Sequence, residues 1–326
     1  MLRYKDVIKP TIDAAEELVD MEPERGVGVA IQTTNDLLGT ETVTIEQMGN
    51  TILVPTDFSD QSLIALEQSY NIAKLFNASI TLVNVIRTHG SLWGVFGSEE
   101  KEGIEDKIVS NLKMIADEVE EKQGIKVDYK ILKGKVVESV IKYSKEINPV
   151  FMVVGTTGDT NIRRKIIGTR ALRWIKETPC PVLSIKGKHH RDGCENIVLP
   201  LDLTKETKQK VELTKSLAKL FGAKIYVVSL IISKDANAIG EAELLLLQVK
   251  KDIIVDNIEC ETDLLHSSKD PELMAIKLIG HAHSVDADLI TIMTQQENEF
   301  KRFFIGSKAK QIIFDSDIPV LTINPK

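Results

Sequence analysis

At 326 residues the chain has room for two domains of ordinary size, each able to bury its own core. Hydrophobic residues at 43% and charged residues at 27% are the proportions of a soluble globular protein. A net charge of −7 and an aromatic content of 5% exclude a broad cationic face for nucleic acid and a stacking platform for single strands. The three cysteines, Cys180, Cys194 and Cys260, form no CxxC pair and do not make a disulfide framework, so a reducing cytoplasm is expected. The first residues are too acidic and too weakly apolar for a signal peptide, and no apolar run nears the ~20 residues that span a bilayer. Neither nucleic acid nor a membrane is expected as a partner.

Residues 1–49 stand apart as an N-terminal extension, with a short helix expected over 13–19 and a strand over 27–32. Gly26 and Gly28 precede that apolar run instead of following a strand, so they fail the context of a dinucleotide-binding loop. The pattern sharpens at Asn50. Residues 51–55 (TILVP) read as a strand buried on both faces, and 61–76 carry apolar residues at helical spacing. Strands are expected over 80–86, 126–132, 150–154 and 179–185, alternating with helices over 99–122, 136–147 and 169–176. Such alternation predicts a parallel α/β sheet with right-handed crossovers.

The pattern then repeats. Asp57 and Asp202 close matching segments 145 residues apart, and KLFNA (74–78) recurs at the same offset as KLFGA (219–223). Ile167-Gly168-Thr169 is answered by Ile305-Gly306-Ser307, and PVLSI (181–185) by PVLTI (319–323), both at an offset of 138. A repeat this long is a duplicated domain. The expected organisation is 1–49 extension, 50–187 first domain, 188–195 polar linker and 196–326 second domain.

Chemistry concentrates in residues 153–170, VVGTTGDTNIRRKIIGTR. A buried strand empties into Gly155 and Gly158, and after nine intervening residues Gly168-Thr169 opens a helix, giving G-x2-G-x9-G-T. Glycines let the backbone approach an oxyanion, and helix-initial N–H groups favour negative charge. Asp57 ends the first strand at the carboxyl edge where open α/β sheets bind ligands. There it can accept from a ribose hydroxyl, or it can cap the next helix, as Ser59 can. Val85, closing the second strand, offers its backbone to an adenine or belongs to the core.

Asp57 within ILVPTDFS, the LVNVI strand, the glycine motif and the closing CPVLSI strand together resemble a universal stress protein domain. The resemblance implies an adenine-nucleotide alpha-hydrolase-like, Rossmann-like fold, with two five-stranded, mainly parallel sheets paired through their last strands as a pseudo-dimer. A further homodimer of tandem chains is compatible with it. It also implies ATP binding in the first domain, with Gly155, Gly158, Gly168 and Thr169 at the phosphates and ribose and Asp57 and Val85 at the nucleoside. Mg²⁺ held through the phosphates would accompany the nucleotide.

The second domain departs from this pattern, because Met293 and Gln296 stand where the first has Gly155 and Gly158. A methionine side chain obstructs an approach that needs bare backbone, so the second domain is read as a non-binding or altered partner. Gly155→Met is accordingly expected to abolish binding and to leave the fold intact. Arg163, Arg164 and Lys165 read as a solvated basic loop, since Lys301 and Arg302 fill the matching stretch. His281 and His283, two apart on a helix, make a poor metal pair, and Cys180 reads as core. No GxxxxGK[ST] loop and no motif-placed acid for water activation are present, so hydrolysis is expected to be weak at most. The rival readings are a slow ATPase and a nucleotide-free interaction module for protein clients.

Overall fold

The computed structural model of the chain describes residues 49–88, 97–156, 169–186, 193–201, 207–297 and 302–324. The elements expected over 13–19 and 27–32, together with Gly158, Gly168, Asp202 and the basic stretch 163–165, lie outside them.

In β1 (Thr51–Pro55), Ile52, Leu53 and Val54 are wholly buried, which requires cover on both faces of the sheet. It pairs in parallel with β2 (Ser79–Ile86) on one side and β4 (Phe151–Gly155) on the other. β3 (Val127–Lys133) extends the sheet beyond β2, and β5 (Val182–Ile185) extends it beyond β4. The crossovers are α1 (Asp60–Phe76), α2 (Ser98–Gln123) and α3 (Val136–Ile147), and α4 (Thr169–Glu177) leads into β5. The second half repeats the order with β6 (Asn196–Leu201), α5 (Thr207–Phe221), β7 (Lys224–Ile231), α6 (Ala236–Val255) and β8 (Cys260–His266). It continues through α7 (Pro271–Ser284), β9 (Leu289–Met293), a hairpin of β10 (Gln295–Glu297) and β11 (Arg302–Phe304), α8 (Ser307–Asp315) and β12 (Val320–Ile323).

The two halves share one ten-stranded sheet, in the order β3-β2-β1-β4-β5-β12-β9-β6-β7-β8. Within each half the strands run parallel, and at the centre β5 and β12 pair antiparallel, Leu183 opposite Leu321. This is the pairing through last strands that the family resemblance implies. Period-2 alternation divides the core into two layers that run through both halves. Ile52, Val54, Ile80 and Leu82 face α1 and α2, and continue into the layer beneath α5 and α6. Leu53, Val83, Met152 and Val154 face α3 and α4, and join the layer beneath α7 and α8.

Repeated residues do repeated jobs. Asn77 (φ 47°) and Gly222 (φ 68°) end α1 and α5 in the left-handed conformation that stops a helix cheaply. Asn148 (φ 43°) and Asp286 (φ 50°) do the same 138 residues apart. Across the central seam, Lys186 Nζ donates to the Phe314 carbonyl at 2.8 Å, where the dipole of α8 ends negative. Its counterpart Asn324 donates to the Thr178 carbonyl at 3.0 Å, so the seam is closed from both sides.

Candidate functional site

The carboxyl edge of β1, β2 and β4 is built around a latch at the end of β1. Thr56 N donates to the Val83 carbonyl at 2.8 Å, and Asn84 Nδ2 returns a bond to the Thr56 carbonyl at 2.9 Å. Both side chains are buried, and Thr56 Oγ1 lies 3.0 Å from Ser62 Oγ and accepts from Phe58 N at 3.1 Å. Phe58 itself has φ 62°, an uncommon conformation for a bulky residue. The turn it makes brings Ser59 to the start of α1, where Ser59 Oγ accepts from Ser62 N at 3.4 Å as the N-cap.

That settles which residue caps α1. Ser59 does, and Asp57 does not. Asp57 Oδ1 instead accepts from Ser59 Oγ at 2.6 Å and from Ser59 N at 3.3 Å, while its side chain remains 62% exposed. Arg170 Nη1, at the start of α4, stands 3.8 Å from Asp57 Oδ2. Partial burial pushes the Asp57 carboxyl upward, but the two Ser59 hydrogen bonds and the Arg170 charge outweigh it and hold the pKa below the ordinary value. The edge therefore presents an ionised acceptor beside a guanidinium, a pair able to meet a sugar hydroxyl and an anionic group together.

Gly155 ends β4 hard against α1. A Cβ built there would fall 2.4 Å from the Gln61 carbonyl oxygen and 2.8 Å from Gln61 Cγ. The glycine is thus required by the approach of the α1 backbone, whatever ligand lies beyond. This corrects the expectation that Gly155→Met leaves the fold intact. Gln61 Nε2 donates to the Ile185 carbonyl at 3.2 Å, which also accepts from Thr156 N at 2.8 Å, so α1, β4 and β5 are tied together here. Thr294 N and the Ile323 carbonyl repeat that bond at 2.9 Å in the second half.

Val85 packs its side chain against the α3/α4 layer of the core and lies opposite Leu132 in register. By strand alternation its backbone points to the same side as that of Val83, beyond Pro55, the last residue of β1. Val85 is therefore core by its side chain, while its backbone lies at the carboxyl edge. Thr169 opens α4. The structure thus gathers Asp57, Val85, Gly155 and Thr169 at one edge. Thr56, Asn84 and Arg170 belong to the same edge and were missed. A signal for Asn84 existed, an amide in an otherwise apolar strand.

In the second half Met293 ends β9, and Gln296 pairs with Phe303 in the β10–β11 hairpin. Cys180 is buried, and that burial pushes its thiol up to about 12. His281 Nε2 lies 3.4 Å from Asp263 and His283 Nε2 2.9 Å from Asp317, so the two rings face separate partners. Among the described residues there is no cluster of three metal-ligating side chains and no helix long and apolar enough to cross a membrane.

A duplicated, doubly covered parallel sheet with an acidic acceptor at the β1 edge defines a tandem Rossmann-like α/β protein. The model of the universal stress protein family matches residues 48–186 and 193–324, and the chain belongs to that family of stress-response proteins. A universal stress protein of Methanocaldococcus jannaschii is 31% identical over 149 residues, which is 43% of this chain and 84% of that one. The crystal structure of a universal stress protein from Archaeoglobus fulgidus superposes with a TM-score of 0.70 at 18% identity, covering 85% of this chain and 99% of its own. A shorter universal stress protein from Archaeoglobus fulgidus was solved in complex with dAMP. It is 25% identical, with a TM-score of 0.33, covering 39% of this chain and 96% of its own.

Proposed function

We propose that the first half, residues 50–187, binds an adenine nucleotide, ATP in particular, and that this cytoplasmic chain acts as a nucleotide-regulated stress-response module towards protein clients. The observation that carries the reading is the state of Asp57. Its capping role is taken by Ser59, yet its carboxylate is oriented by two hydrogen bonds, kept ionised and left exposed beside Arg170. A side chain held that way is positioned for an outside donor, and ribose hydroxyls are such donors.

In this reading Asp57 accepts from the ribose, and the backbone of Val85 meets the base. Gly155, Gly158, Gly168 and Thr169 serve the phosphates, with Arg170 screening their charge. Mg²⁺ would be held through the phosphate oxygens. The second half, 196–326, reached through the linker 188–195, completes the sheet without a nucleotide site of its own. Regulation then requires only that ATP bind one arrangement of residues 158–168 better than another. Titration calorimetry of the full chain with ATP and Mg²⁺ tests the proposal. One site per chain that is lost in Asp57→Asn supports it, and no heat from the parent protein refutes it.

A further inference from the structure

The second half reaches into the first at one end of α4, the helix that carries Arg170. That helix ends at Glu177, and Thr178 closes it by donating from N and Oγ1 to the Trp174 carbonyl, at 3.0 and 2.7 Å. The carbonyl of Thr178 itself lies at the helix end, where acceptors lack a partner within the helix. Its donor comes from the other half. Asn324, one residue past β12, gives it a bond from Nδ2 at 3.0 Å, and Thr294 Oγ1 donates to Asn324 Oδ1 at 2.8 Å. With its oxygen engaged by a buried hydroxyl, the amide keeps its nitrogen towards α4. Strand β11 of the second half lies against the same helix. Thr294 follows directly on Ile292 and Met293, which line a cleft of about 380 Å³ at the carboxyl edge of the second half.

At the other end of α4, Arg170 Nη1 stands 3.8 Å from Asp57 Oδ2. That is a charged contact and too long for a hydrogen bond, so the pair does not fix its own geometry. The setting of α4 decides where the guanidinium lies. From Arg170 to Thr178 the chain rises about 12 Å at 1.5 Å per residue, so a tilt of about 5° at the Thr178 end moves Arg170 by about 1 Å. Displacements of that size are enough to spoil an oriented contact. The matching contact in the other direction is built more loosely. Lys186, which corresponds to Asn324 at an offset of 138, donates to the Phe314 carbonyl at 2.8 Å through a long side chain. The short amide, bonded at both ends, therefore holds the helix that stands beside Asp57.

We propose that Asn324 is a positioning residue of the first-half site: through it the second half sets α4 so that Arg170 meets the phosphates. This rests on the nucleotide reading above and gives the second half a part in that site. The test is titration calorimetry of the full chain with ATP and with adenosine, which lacks the phosphates. Asn324→Leu removes the donor and keeps the bulk. It should weaken ATP about tenfold, the worth of one charge-assisted contact, and leave adenosine unchanged. Asn324→Lys copies Lys186, supplies a donor again and should recover most of the loss. In an Arg170→Ala background Asn324→Leu should have no further effect. Thr294→Val, which removes the bond that orients the amide, is the milder variant and should shift ATP the same way; unchanged melting temperatures show that each variant folds. Undiminished ATP affinity in Asn324→Leu, an equal loss for adenosine, or a loss that persists without Arg170 would each overturn the proposal. If the parent binds neither ligand, the nucleotide reading fails, and carboxyl-carbon NMR of Asp57 decides the positioning separately. Against the upward push of burial, Ser59 and Arg170 hold that carboxyl low. A displaced Arg170 should therefore raise the Asp57 pKa in Asn324→Leu, and an unchanged value overturns the inference.

Discussion

Replacing Gly155 should damage the fold before it touches any ligand. A Cβ at this position sits 2.4 Å from a backbone carbonyl and must reach about 3.0 Å, so α1 and β4 have to part by some 0.6 Å. That movement is resisted from three sides. Gln61 is bonded to the Ile185 carbonyl, Ile185 to Thr156, and Ser62 to Thr56. Overpacking of this kind costs about 1–3 kcal/mol, and Gly155→Ala should lower the melting temperature by roughly 3–10 °C. Gly155→Met, with three further heavy atoms beside the same carbonyl, should lose more. Thermal and urea unfolding followed by far-ultraviolet circular dichroism read the effect directly. An alanine variant that melts within a degree of the parent would refute the packing argument and return the glycine to a purely ligand-facing role.

Asp57→Asn is the cleaner probe of binding. Its side chain is 62% exposed, so stability should stay within about 0.5 kcal/mol while ATP affinity in calorimetry falls at least about tenfold. Because the folded pKa of Asp57 lies below the ordinary 3.8, its contribution to stability is present above that value and is lost as pH falls through the lower folded one. Nucleotide affinity should therefore show no Asp57 titration between about pH 5 and 8. Ser59→Ala removes the N-cap and the 2.6 Å bond to Asp57, and should cost about 1 kcal/mol in the urea midpoint. Lys215, with a side chain 7% exposed, reaches Asp256 at 2.6 Å, Asp252 at 3.0 Å and Glu212 at 3.2 Å. The three carboxylates are partly in water, so Lys215→Ala should cost about 1–3 kcal/mol, less than for a fully buried network. Burial lowers the Lys215 pKa, but the Asp256 and Asp252 hydrogen bonds raise it further. Its contribution is full below the ordinary 10.5 and is lost as pH rises through the higher folded value, which alkaline unfolding of parent and variant would reveal.

The fold was legible because strand burial and helix period wrote themselves plainly into residues 50–187, and then did so again. Apolar runs such as ILV at 52–54 can only be strands covered on both faces, and the duplicated PVLSI and PVLTI segments became the two strands that join the halves. The reason for Gly155 was not legible. A glycine at a strand end reads equally as ligand contact or as clearance for a neighbouring backbone, and only the position of Gln61 decides. The role of Asp57 was ambiguous for a similar reason, since a carboxylate two residues before a serine can cap the same helix. The turn at Phe58, which hands the cap to Ser59, depends on a φ of 62° that no pattern of residue types announces. The second-half cleft was missed because its lining comes from seven separate elements, most of them contributing residues that read locally as ordinary core.

The two halves differ at the carboxyl edge of the sheet and agree where it holds together. Turns at Asn77 and Gly222 and the bonds from Thr156 to Ile185 and Thr294 to Ile323 are shared. The changes from Thr56 to Leu201, Asn84 to Ser229 and Gly155 to Met293 all fall at the carboxyl edge. Lys210, buried on α5, stands where the first half has the buried Ala65, a further difference near the same edge. The pattern is that of one scaffold presenting two edges of unlike polarity, joined by a central strand pair. The end of β9 lies beside β12, and β12 is bonded to β5 of the first half. Any coupling between the two edges has that short, bonded route through the sheet.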